Sequence, residues 1–145
     1  DKEEDADELF QQHIEAQCKR LRILGFTGTP IIRGNLNAMD KSLLPSLQTV
    51  CTEILNNIAK HGKPGAFAFI LSVGPDAVRI FASNLYNAAI NSAPENHYGT
   101  ALIQDFAQQH NGTMTINSEN EEWSLSLTIP LAHQVKLMFS PTEKL

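Results

Sequence analysis

Apolar residues recur along the chain with two periods, and the points where the period changes mark the elements. Leu9, Phe10, Ile14, Cys18 and Leu21 follow an acidic start at spacings that suit a helix with a narrow apolar face. The acidic residues stand at its amino end, where the helix dipole favours them. Residues 20–26 and 30–36 read as short strands separated by Thr27-Gly28-Thr29-Pro30, where Gly and Pro supply turn chemistry. A stronger helix opens at Leu43 or Pro45. Its apolar stripe is Leu47, Val50, Cys51, Ile54, Leu55 and Ile58, and Gly62-Lys63-Pro64-Gly65 ends it. Residues 66–73 form a continuous apolar strand, Gly74-Pro75-Asp76 a turn, and 77–82 the hairpin partner. Residues 83–98 hold many Asn, Ala and Ser without a period, which predicts a long loop of the kind that serves as a lid. Residues 99–109 make the next helix, with Leu102, Ile103 and Phe106 toward the core. The stretches 113–117 and 123–129 then alternate with period two and finish the sheet. This order predicts an α/β two-layer sandwich, a mixed and mostly antiparallel sheet covered on one face by helices.

Composition narrows the function classes. At 145 residues, with 42% hydrophobic and 19% charged content, there is room for one domain with a real core. A net charge of -5 with no Lys/Arg run excludes a surface built to grip nucleic acid. Cys18 and Cys51 are too few for a disulfide framework, and a reducing, cytoplasmic setting is expected. No apolar run approaches the eighteen or so residues that cross a bilayer, and no signal peptide opens the chain. A membrane anchor of a parent protein is expected outside these residues.

The chemistry concentrates in Glu53-Ile54-Leu55-Asn56-Asn57-Ile58-Ala59-Lys60-His61-Gly62. Spacings of four and three put Glu53, Asn57 and Lys60/His61 on one helix flank beside the core stripe. A carboxylate, a neutral amide and a cation within a turn and a half suit a water, a hard cation and a phosphate. A solvated helix face is the competing explanation for such a flank. Further on come Tyr98-Gly99-Thr100-Ala101-Leu102-Ile103, then His110-Asn111-Gly112, Thr113-Met114-Thr115-Ile116, and Trp123-Ser124-Leu125-Ser126-Leu127-Thr128-Ile129-Pro130. In this order the chain resembles, over residues 25–131, the ATP-binding catalytic domain of sensor histidine kinases, in the wider family of gyrase, the Hsp90 chaperones and MutL. The segment 53–61 resembles that family's N box and 98–103 its second glycine box.

The resemblance implies a division into residues 1–19, a remnant of a preceding dimerisation helix or linker, and 20–145, the ATP-binding domain. It implies ATP and Mg2+ as ligands, with Asn57 holding the magnesium and Glu53 orienting or activating the attacking group. Lys60 and His61 reach or support the phosphates, and Gly99, Thr100 and Ala101 open a helix whose free N–H groups suit phosphate. The implied partners are a histidine-containing dimerisation domain of the same protein, which is a homodimer at full length, and a response regulator. His13 lacks the acidic neighbour of the family's phospho-acceptor, so the segment alone is not expected to autophosphorylate.

The sequence departs from the family at the first glycine box. Ser83 is read at the place of the aspartate that accepts the adenine amino group, with Asn84 as an alternative acceptor, and no glycine follows. Uncharged acceptors are weaker than a carboxylate by roughly a factor of two. His97 takes the first glycine's place in the second box, a position from which a protonated imidazole meets phosphate. Two functions stay open: the catalytic ATP-binding domain of a histidine kinase, and a degenerate ATPase-fold module with weak or no nucleotide binding that acts in docking or regulation.

Overall fold

A computed structural model describes residues 2–86 and 100–131. The described residues fold into three helices, a short 3-10 turn over Leu36–Ala38 and five strands. The helices are α1 (Lys2–Ile23), α2 (Leu43–His61) and α3 (Thr100–Gln109). The strands are β1 (Ile31–Gly34), β2 (Gly62–Val73), β3 (Ala77–Tyr86), β4 (Thr113–Glu119) and β5 (Glu122–Pro130). They form one sheet in the order β1-β2-β3-β5-β4, with β1 parallel to β2 and all other pairs antiparallel. The expected two-layer α/β sandwich is the architecture found.

Helix α1 differs from expectation. Residues 20–23 continue the helix instead of starting a strand, because Phe10, Ile14, Cys18 and Leu21 keep one helical stripe and are all buried. Arg20 and Arg22 fall in its last turn, where cations suit the dipole. Gly25 at φ 103 turns the chain out, and the Phe26 N–H donates back to the Leu21 carbonyl at 3.0 Å. Of the expected strand 20–26 only an adjoining contact exists, a single parallel bridge from Thr27 to Ala66. The division drawn at residue 19 therefore falls inside α1, whose apolar face lies in the core shared with α2 and the sheet.

Helix α2 buries Leu47, Val50, Cys51, Ile54, Leu55 and Ile58, as its pattern requires. It is tied to α1 by His13 Nε2 and Thr52 Oγ1 at 2.7 Å and by Arg20 donating to Asn56 Oδ1 at 3.0 Å. In α3 the core face is Ile103, Phe106 and Ala107, while Leu102, expected inside, is 42% exposed. Strand β3 runs through 83–86, a stretch expected to be loop; Tyr86 pairs with Gly62, and its N–H donates to the Glu121 carbonyl. The β4–β5 turn carries Asn120 and Glu121 at positive φ, and Lys63 Nζ meets Glu121 Oε1 at 3.3 Å.

Candidate nucleotide site

Two element ends meet at one junction, and α3 lies alongside the helix that leads into it. Helix α2 passes at Gly62 directly into β2, and β3 ends beside that junction because Gly62 and Tyr86 are paired. Asp40, Ser42 and Leu43 at the start of α2 line a cavity with Gln109 and His110 at the end of α3, whereas Thr49 and Val50 line the next one with Leu102 and Phe106. The two helices thus run antiparallel. The amino end of α3 is therefore set toward the carboxyl-terminal half of α2.

On α2, Glu53 is half-buried, Asn57 is 2% exposed, Lys60 is exposed and His61, the last helical residue, is half-buried. Thr100 opens α3 half-buried and Ala101 is exposed. His97 and Gly99 lie outside the described residues.

Strand parity separates Ser83 from Asn84. Val78, Ile80 and Ala82 point to the helix side and are buried there; Asn84 and Tyr86 continue that row. Ser83 stands on the other face, between Ala68 of β2 and Ser124 of β5, and a cavity of about 220 Å³ at this strand end is lined by both Ser83 and Asn84 with Ala68, Leu85 and Glu122. The expected acceptor Ser83 is therefore turned away from α2, and the structure brings its neighbour Asn84 to α2 instead. The parity of Val78, Ile80 and Ala82 was the signal available in the sequence.

Asn84 is 2% exposed between its cross-strand neighbours Phe67 and Trp123. Its Nδ2 donates to the Leu85 carbonyl at 2.7 Å, which fixes the amide orientation. Its Oδ1 is buried and has no hydrogen-bond partner among the described residues. Such an orphaned acceptor costs about 1–3 kcal/mol. Gly62 makes room for it: a Cβ there would lie 2.5 Å from the Ile58 carbonyl oxygen and closer still to Asn84 Nδ2. The backbone at Gly62 is ordinary extended chain, so the requirement is space, not conformation. Among the described residues no three His, Cys, Asp or Glu side chains stand together as a metal-binding group.

No protein-family model matches the sequence, and no curated protein matches it. Solved structures do. The nucleotide-free catalytic domain of the histidine kinase ThkA is 12% identical at a TM-score of 0.64, over 86% of this chain and 93% of that one. The Acinetobacter baumannii histidine kinase AdeS is 10% identical at a TM-score of 0.61, over 88% of this chain and 64% of that one. The blue-light activated histidine kinase EL346 of Erythrobacter litoralis is 12% identical at a TM-score of 0.60, over 83% of this chain and 41% of that one. This chain has the fold of the histidine-kinase catalytic domain.

Proposed function

We propose that this domain binds Mg-ATP among the end of α2, the end of β3 and the start of α3. Within a longer, homodimeric protein it supplies the γ-phosphoryl to a histidine on a separate dimerisation domain, from which a response regulator takes it. The observation that carries the reading is Asn84 Oδ1, a buried acceptor without a partner among the described residues, on the helix-facing side of β3. One Nδ2 hydrogen is engaged by the Leu85 carbonyl, which orients Oδ1 as an acceptor, and such an acceptor suits the exocyclic amino group of adenine.

The other roles follow from type and position. Asn57, one turn after Glu53, offers a hard oxygen suited to magnesium, which needs few protein ligands. Bound magnesium neutralises charge on the phosphates. Glu53 orients the attacking group, Lys60 and His61 serve the phosphates, and the first N–H groups of α3 at Thr100 and Ala101 receive an anion. His97 and Gly99 keep the phosphate role that the resemblance gives them, and Ser83 is not assigned one. No nucleic-acid partner is proposed. Among the described residues no helix is long and apolar enough to cross a membrane; we assign the domain to the cytoplasmic side of a membrane-anchored sensor.

Tyr86 favours the second reading, a degenerate docking or regulatory module. It is 6% exposed on the same face two residues beyond Asn84, where bulk restricts approach to the strand end. Isothermal titration with Mg-ATP, with and without magnesium, separates the two. Asn57→Ala is expected to abolish the magnesium-dependent part of binding while the fold persists. An unchanged magnesium dependence, or no nucleotide binding by the wild type, contradicts the catalytic reading.

A further inference from the structure

The sheet face opposite the helices carries two adjacent rungs with distinct chemistry. Parity sends Arg79 and Phe81 to this face, with Ser72 and Ile70 beside them on β2 and Arg33 and Ile31 on β1. Ile31, Ile70 and Phe81 are successive cross-strand neighbours, so they form one apolar row across three strands; Ile31 is 42% and Phe81 39% exposed. One rung along, Arg33, Ser72 and Arg79 are neighbours in the same way. Both arginines are exposed, and neither has a hydrogen-bond or ion-pair partner among the described residues. Two strand spacings separate them by roughly 10 Å. Farther across the sheet the two rungs continue as Ser126 and Thr115, and as Thr128 and Thr113, which carry no charge. Cationic and apolar character is therefore confined to the β1–β3 half, in a chain whose net charge is -5.

We propose that this face docks an acidic protein segment with a large apolar side chain between its carboxylates. The apolar side chain lies on the row Ile31, Ile70 and Phe81, where removal of contiguous apolar surface from water drives association. The carboxylates meet Arg33 and Arg79, whose guanidinium forks match a carboxylate in two parallel hydrogen bonds, and the Ser72 hydroxyl between them adds a donor. Charge complementarity selects an acidic partner over a neutral or basic one. The surface lies on the opposite side of the sheet from Asn84 and α2, so it is independent of the nucleotide reading.

The test uses the peptide Glu-Glu-Phe-Glu-Glu, capped at both ends, titrated into the 15N-labelled chain at low and at physiological salt. Backbone shifts are expected at residues 31, 33, 70, 72, 79 and 81, with affinity falling as salt rises. Arg33→Ser with Arg79→Ser should weaken binding at least tenfold, each single change and Phe81→Ser several-fold, and replacing the peptide's Phe by Ser should act like Phe81→Ser. The single variants decide the matter if the double variant does not fold. Mg-ATP affinity should not move in any of them. The proposal is overturned if the peptide leaves these signals unshifted, if a Lys-Lys-Phe-Lys-Lys peptide binds as well, if the arginine variants bind unchanged, or if phosphatidylserine vesicles occupy the face while the peptide does not.

Discussion

At the residue scale the account turns on one position in β3. A strand alternates its side chains, so a shift of one residue exchanges the helix-facing side for the bare one. From the sequence, an aspartate at 83 restores a charged acceptor for adenine. In the structure Ser83 faces away from α2, so Ser83→Asp should leave adenine-nucleotide affinity unchanged in a titration. Asn84→Leu, similar in volume but without the acceptor, should lower it about tenfold or more, the value of one hydrogen bond to a buried group. Gly62→Ala drives a methyl against the Ile58 carbonyl and Asn84 and should cost about 1–3 kcal/mol in denaturant unfolding. A loss of nucleotide affinity alongside it would follow from displacement of the Asn84 amide.

At the element scale, what was legible and what was not follow from how strongly each segment is patterned. Helix α2, with a broad apolar stripe, runs over Leu43–His61 much as its periodicity requires, and the flank Glu53, Asn57 and Lys60 was readable from spacing alone. The end of β3 was not. Ser83 and Asn84 look like loop chemistry, and only pairing with β2 and β5 holds them extended, a tertiary contact that overrides local propensity. The end of α1 was missed for the opposite reason, since Leu21, Ile23 and Leu24 also suit a strand until Gly25 reveals the helix stop. Because α1 contributes Phe10, Ile14 and Leu21 to the common core, Phe10→Ala should cost about 3–5 kcal/mol, measured by chemical denaturation. An appended helix that packs on nothing would give a cost near zero.

The same α1–α2 contact buries two thiols. Burial raises the Cys18 thiol from 9.0 to about 11, with Glu15 adding to the shift, and burial raises Cys51 further. Between pH 9 and 11 the unfolded chain loses protons that the folded chain keeps, so stability falls as pH rises through that window and is unaffected below it. Unfolding free energies measured from pH 8 to 11 should decline, and less steeply in Cys18→Ala. A flat profile in the wild type would contradict the burial of both thiols.

At the scale of the whole molecule, element order was enough to reach the architecture, because only a few topologies bury one face of such a sheet under its helices. Within the order β1-β2-β3-β5-β4, the pairing of Gly62 with Tyr86 brings the end of β3 to the end of α2. Spacing along the sequence relates Glu53 to Asn57, but it cannot relate Asn84 to Gly62 at the end of the same helix, a contact made only through the sheet. The central claim is that Asn84 Oδ1 reads an amino group on a bound purine. It is tested most directly by comparing the affinity of Mg-ATP with that of the triphosphate of purine riboside, which lacks the 6-amino group, in wild type and in Asn84→Leu. The wild type should prefer Mg-ATP by about tenfold and the variant should bind both equally weakly. Equal binding of both nucleotides by the wild type, or an undiminished preference in Asn84→Leu, would contradict it.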